Sequence, residues 1–166
     1  VAGTSYLLFN KGGKTQNIIH HIKYTRADDL AIYMGKTMGR RLKTRKWFQS
    51  VDAIVPVPLH AKREKMRGFN QAERLAEGLS RATKTPVLEQ AIHRVKHTET
   101  QTKKNRLDRV RNLHDAFKAR KLKTPQHILL VDDVTTTGAT LEACGAAFLK
   151  ANPKCTLSVA TLAFAQ

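Results

Sequence analysis

The stretch LLVDDVTTTGAT, Leu129 to Thr140, decides how the rest of this chain is read. It closes the run HILLVDD, a buried strand whose near-continuous apolar character fits cover on both faces, as in a parallel sheet. Three threonines and a glycine follow the two aspartates. The segment ATLEACGAAFLKAN, 139–152, then has helical periodicity, with Leu141, Cys144, Gly145 and Phe148 on its inner face. Strand, loop and helix in this order form the repeating unit of an open α/β sheet, and ligands bind beyond the carboxyl ends of such strands. Adjacent carboxylates repel each other, so Asp132 and Asp133 call for a reason beyond packing. A glycine-containing turn into a helix offers backbone N–H groups and a positive helix end to a phosphate dianion. Thr135, Thr136, Thr137 and Thr140 add hydroxyl donors, Gly138 lets the backbone approach closely, and Ala139 opens the helix. Ionised aspartates accept hydrogen bonds and do not donate them, which suits a pair of hydroxyls such as a ribose diol.

Outward from this stretch, helices and short strands alternate. Ile18, Ile19 and Ile22 in TQNIIHHIKY have helical spacing. A second helix starts near Ala27, with Leu30, Met34, Met38 and Leu42 in a four-residue step and Asp28 and Asp29 in its first turn, where they favour the helix dipole. Ala53 to Val57 reads as a buried strand stopped by Pro56 and Pro58. HAKREKMRGF is expected to be a basic loop, and NQAERLAEGLSRAT a helix capped by Asn70 with Leu75, Leu79 and Ala82 on one face. PVLEQAIHRV is strand-like, KHTETQTKKN an exposed loop, and RLDRVRNLHDAF a short helix followed by an extended piece to Phe117. CTLSVATLAFA is a final strand. The expectation is a single α/β domain over residues 1–166 with a central, mostly parallel sheet flanked by helices.

Composition narrows the function classes. The 166 residues are 41% apolar and 26% charged, which is globular. No apolar run reaches the roughly 18 residues of a membrane span, and VAGTSYLLFNKGGK has only a short apolar patch, so no signal peptide is read. The chain does not open on Met, so a preceding segment is expected. Cys144 and Cys155 lack zinc-site spacing, and a reduced, cytoplasmic protein is the simpler reading, although a disulfide is compatible. GGKT at Gly12–Thr15 ends like a Walker A loop, but the first glycine would fall on Leu8. His20 and His21 read as solvated helix-surface residues.

Net charge is +17, from 30 Lys and Arg against 13 Asp and Glu. That points to polyanions or phosphorylated ligands. The segment from His93 to Lys123 holds 11 of the basic residues, including Lys103, Lys104, Arg106, Arg109 and Arg111, against three acids. A second cluster, Lys36, Arg40, Arg41, Lys43, Arg45 and Lys46, leads into Trp47 and Phe48. Cations beside aromatics are what single-stranded nucleic acid binding uses; core packing is the commoner role for the two rings.

The Leu129–Thr140 stretch resembles the phosphoribosyl pyrophosphate (PRPP) signature of type I phosphoribosyltransferases. The blocks VDAIVPVPLHAKREKMRGFNQAERLA and RVKHTETQTKKNRLDRVRNLHDAF are similar to those of the competence protein ComF family, from about Ile18 to the C-terminus. The resemblance implies a type I phosphoribosyltransferase fold and a cytoplasmic role in natural transformation. Its partners would be PRPP with Mg²⁺ brought by the ligand, incoming single-stranded DNA, and competence-machinery proteins such as a helicase. The alternative is an active transferase with an unknown acceptor. Asp132 and Asp133 would bind the ribose hydroxyls and favour the positive charge that develops on the sugar. Thr135 through Thr140 would wrap the 5′-phosphate. Pro58, Leu59 and His60 match the loop that meets pyrophosphate, with Lys62, Arg63 and Arg67 near it. Arg94 and Gln101 flank the segment that resembles a lid. Full-length members of the family usually carry an N-terminal four-cysteine zinc module, which this chain does not show.

Overall fold

A computed structural model describes residues 3–9, 13–25, 27–95, 116–124 and 126–165. Four strands form one sheet: β1 (Gly3–Phe9), β2 (Ala53–Pro56), β5 (His127–Thr135) and β6 (Thr156–Ala165), in the order β1-β6-β5-β2 and parallel throughout. Two three-residue strands, β3 (Ile92–Arg94) and β4 (Phe117–Ala119), pair antiparallel beside it. The helices are α1 (Lys14–Tyr24), α2 (Asp28–Leu42), α3 (Ala61–Arg67), α4 (Gln71–Thr83) and α5 (Ala139–Ala151), with a 3₁₀ turn at Lys46–Ser50. The α/β architecture with a mostly parallel central sheet is the one expected from the alternation of strands and helices.

Strand alternation assigns the two cores. Along β5, Ile128 and Leu130 pack with Leu141, Cys144 and Phe148 of α5 and with Ile92 and Phe117 of the small hairpin. Leu129 and Val131 face the other way, into a core built by Ile22 of α1, Met34 and Met38 of α2, and Leu75 and Leu79 of α4. All four of these β5 residues are fully buried, as the apolar run requires. The ring of His127 fixes the start of the strand between Ser50 Oγ at 2.9 Å and Ser158 Oγ at 2.8 Å. Phe48 is buried and Trp47 packs against the same core, so these two rings are structural.

Several local expectations change. The segment after His60 is a helix, not a loop. It buries no residue, so no apolar stripe marks it in the sequence. It is held at its ends: the His60 ring accepts from Lys62 N at 3.1 Å, and the left-handed Gly68 closes it. Pro56 does not stop β2 but is its last paired residue, opposite Val131. The side on which it lacks an N–H is the one where Ile54 N donates to Pro86 O, away from β5, so no sheet bond is lost. Of PVLEQAIHRV only Ile92–Arg94 forms a strand, with Val87 making a lone bridge to Ile54. β1 had no expectation at all. KHTETQTKKN and most of RLDRVRNLHDAF lie outside the described residues.

Asn70 caps α4 as expected, its Oδ1 accepting from Ala72 N at 3.1 Å. Its Nδ2 donates to Val57 O at 3.1 Å, which ties the helix to the exit of β2. Helices α2 and α4 cross with their backbones in contact. A Cβ on Gly35 would fall on the carbonyl of Leu75, and one on Gly78 on the carbonyl of Ile32. Backbone cannot rotate away as a side chain can, so Gly78→Ala must push the helices apart. The expected cost is about 2–3 kcal/mol, read as a drop of roughly 5–10 °C in thermal melting. Gly145→Ala, whose Cβ would meet Leu157 Cδ1 at 3.3 Å, serves as the mild control.

Candidate phosphate and sugar site

β2 and β5 differ in length, and a cleft opens from that difference. Pro56 pairs with Val131, and Val57 N still donates to Val131 O at 2.8 Å. There β2 ends. β5 continues through Asp132, Val134 and Thr135, paired on its other side with Thr161, Ala163 and Phe164 of β6. From Asp132 onward one edge of β5 is without a strand among the described residues. The 57–59 turn and the start of α4 bend away from it, leaving a cleft of about 190 Å³.

The two aspartates therefore lie within the strand rather than after it, and alternation starts their side chains from opposite faces of the sheet. Asp133 continues the row of Leu129 and Val131, and from that side Lys23 Nζ, at the end of α1, reaches its Oδ2 at 3.1 Å. Asp132 continues the row of Ile128 and Leu130, toward Arg94 and Cys144. Each carboxylate also turns back on the chain. Asp132 Oδ1 accepts from Asp133 N at 2.8 Å, and Asp133 Oδ1 from Val134 N at 2.6 Å. Both line the cleft.

Among the described residues, four cations face them: Lys23, Arg63, Arg67 and Arg94. Arg67 Nη1 donates to Oε1 of the buried Gln71 at 2.9 Å, which fixes the guanidinium. Arg94 lies over the Phe117 ring, 5.3 Å from its centroid. Burial, then the neighbouring charge of Arg63, lowers the Arg94 pKa. Desolvation first, and then the charge of Asp133, pushes the Asp132 carboxyl well above the usual carboxylate range. Burial, then Asp132, raises the Cys144 thiol, so that the cleft has an uncharged thiol near it. An enclosed acid pair facing four cations has a charge excess suited to a polyanion that also presents hydroxyls.

The structure brings together Pro58, Leu59, Arg63, Arg67, Arg94, Asp132, Asp133 and Thr140 as cleft lining. Thr135 ends β5, Thr136 and Thr137 form the exposed turn, and Ala139 begins α5. Gly138 has φ 78°, a left-handed conformation that disfavours other residues. Two groups of expected site residues lie apart from this lining. His60 serves as the cap of α3 and Lys62 is exposed on it, so neither lines the cleft. Arg40 and Arg41 stand exposed in the last turn of α2, which leads into the 3₁₀ turn whose Ser50 bonds His127, at the far end of β5 from the cleft. Gln101, Lys103, Lys104, Arg106, Arg109 and Arg111 lie outside the described residues.

Lys23 and Gln71 had no functional reading in the sequence. Lys23 meets Asp133 across 110 positions of chain, and local spacing carries no trace of such a pair. Gln71 follows a capping asparagine and reads as ordinary helix surface, yet it is 2% exposed. Its burial is visible only in the fold, so the sequence carried no signal for it.

The family model of the phosphoribosyl transferase domain matches residues 40–166. Competence protein F of Haemophilus influenzae is 45% identical over 93 residues, which cover 54% of this chain and 41% of that protein. DNA utilization protein YhgH of Escherichia coli is 33% identical over 127 residues, 75% of this chain and 56% of the relative. Competence protein ComFC of Bacillus subtilis is 35% identical over 111 residues, 66% of this chain and 43% of the relative. The chain thus spans about half the length of the curated relatives it matches. A parallel sheet with a strand–Asp–Asp–threonine-turn–helix unit at its cleft, together with these matches, means that the chain belongs to the phosphoribosyl transferase domain family, in its competence protein ComF group.

Proposed function

We propose that the cleft beside β5 binds PRPP, in a protein that handles single-stranded DNA during natural transformation. The observation that carries the first half is the junction of Asp132 and Asp133 with four cations in one cleft, whose wall includes Val134 and Thr140 on either side of the β5–α5 turn. In this reading the 5′-phosphate takes the turn and the first N–H groups of α5. The ribose hydroxyls donate to Asp132 and Asp133, and Arg63, Arg67 and Lys23 meet the pyrophosphate. The aspartates supply hard carboxylate oxygens, the donor type that holds Mg²⁺ together with a ligand's phosphate oxygens. When bound, Mg²⁺ would offset diphosphate charge. Transfer of the phosphoribosyl group to an acceptor is a second reading, favoured by the retained acid pair beside the cations.

The second half rests on the names of the relatives, which refer to competence and DNA utilization, and on the excess of 30 basic over 13 acidic residues. A cytoplasmic location and contact with a competence helicase belong to the same proposal.

Thermal melting tests the ligand. PRPP with Mg²⁺ at a hundredfold excess over Kd raises the melting temperature by about 5–10 °C, and Asp132→Ala with Asp133→Ala removes the shift. An unshifted parent protein would refute the PRPP site. Acid–base linkage gives a second test, made without ligand. Because the folded state holds the Asp132 proton more tightly than the unfolded chain does, stability falls as pH rises from about 4 toward the raised folded value. Asp132→Asn deletes that loss, so its melting temperature exceeds the parent's near neutrality and the gap closes in acid. Parallel pH profiles of the two proteins would contradict it. For DNA, the affinity for a labelled oligothymidylate should fall steeply between 50 and 200 mM salt, by roughly a hundredfold or more if several phosphates are neutralised. A flat response would count against the polyanion role.

A further inference from the structure

In a parallel sheet every strand enters from the same end, so the connections into β2, β5 and β6 share the end opposite the cleft. Basic residues crowd there, in residues 40–52, 84–86, 120–126 and 150–155. Lys43, Arg45 and Lys46 precede β2, just after Arg40 and Arg41 in the last turn of α2. Arg120, Lys121 and Lys123 lead to β5, and Lys150 and Lys154 flank the turn into β6. Lys84 closes α4, shortly before Val87 bridges to Ile54 beside β2. All eleven are exposed, and none forms an ion pair among the described residues. Asp52 is the one acid in the described residues of these segments, and its Oδ2 already accepts from His127 N at 2.7 Å.

Helix ends do not account for so much charge. α2, α4 and α5 finish on this side, and each helix end carries about half a negative charge, several times less in sum than the cations supply. The connections are also tied to one another. Asn152 is buried; its Oδ1 accepts from Leu122 N at 2.7 Å and its Nδ2 donates to Arg120 O at 3.0 Å, which joins the approach to β5 to the end of α5. Thr156 N donates to Gln126 O at 3.0 Å, and the His127 ring joins Ser50 to Ser158. Neighbouring strands lie about 4.8 Å apart, so the backbone carries this charge across the sheet in a row roughly 15 Å long, from the β6 turn past β5 and β2 to the segment after Lys84.

We infer that this end of the sheet holds the phosphate backbone of single-stranded DNA, while the cleft at the opposite end takes its own ligand. This rests on the DNA-handling reading and places the strand away from the cleft, so that both ligands bind at once. A nucleic acid suits the surface better than an acidic protein or a bilayer. The large hydrophobic side chains that stand in solvent among the described residues, Tyr24, Tyr33, Met66 and Val95, all lie outside these connections. A protein interface or a bilayer contact needs such anchors, whereas a phosphate backbone needs spaced cations. Phosphate contacts carry no sequence information, so binding is expected to be indifferent to base sequence.

The test follows a labelled oligothymidylate by fluorescence anisotropy with the parent chain and two variants matched in charge. One takes a lysine from each connection: Lys46→Ala, Lys121→Ala and Lys154→Ala. The other takes exposed lysines of α1 and α3, helices that follow the ends of β1 and β2: Lys14→Ala, Lys62→Ala and Lys65→Ala. Melting curves establish that both are folded. The first variant should lose about tenfold in affinity at 50 mM salt, and its slope of log affinity against log salt should shrink by about 2. The second should stay close to the parent. Saturating PRPP, with Mg²⁺ and ionic strength held constant, should leave the parent's affinity for the strand unchanged. No loss in the first variant, equal losses in both, or displacement of the strand by PRPP overturns this face and leaves DNA binding itself standing. If the parent does not bind the oligonucleotide, the DNA-handling reading falls and the face falls with it. Phosphatidylserine vesicles that bind through the same three lysines, where the oligonucleotide does not, would overturn it in favour of a membrane surface.

Discussion

A strand that outruns its neighbour leaves one edge without backbone partners. In this molecule β2 ends opposite Val131 while β5 runs on to Thr135. The space beside the last residues of β5 is the cleft. The same truncation lets Val57, Pro58 and Leu59 turn away, sets α3 and its arginines above the opening, and leaves room for the start of α4. Asn70 holds that turn by bonding Val57 O, so the helix cap and the cleft wall are one construction.

The alternation of side chains along β5 has a second effect. Two adjacent carboxylates would be costly if both pointed into one unpaired space. Because Asp132 and Asp133 leave the strand on opposite sides, each meets a different environment before they converge on the cleft. Asp133 has the Lys23 ammonium at 3.1 Å, whereas Asp132 is desolvated beside the buried Cys144. Chemically equal neighbours thus meet unequal surroundings. Asp133 faces a fixed cation, while burial makes the charge of Asp132 depend on what enters the cleft.

Much of this was legible in the sequence, for stated reasons. The apolar run into Asp–Asp, the threonine turn and the helix after Gly138 are contiguous, so local pattern is enough. The same holds for the Asn70 cap and for the four-residue step of α2, whose Met34, Met38 and Leu42 are buried. Features fixed by distant contacts were not legible. β1 is a short edge strand whose existence depends on β6. α3 has no buried face and is defined by its caps, so hydrophobic periodicity misses it. Lys23 acquires its meaning from Asp133, a partner brought near by the fold.

β1 and α1 precede residue 40, where the family match begins, yet both belong to the architecture. β1 covers the outer edge of β6 from Gly3↔Val159 to Phe9↔Ala165. β6 is ten residues long and mostly buried. Excised at the matched boundary, the domain would turn its most apolar interior strand into an open edge, a template for intermolecular pairing. The unit recognised by similarity is thus smaller than the unit in which the edge of β6 is covered.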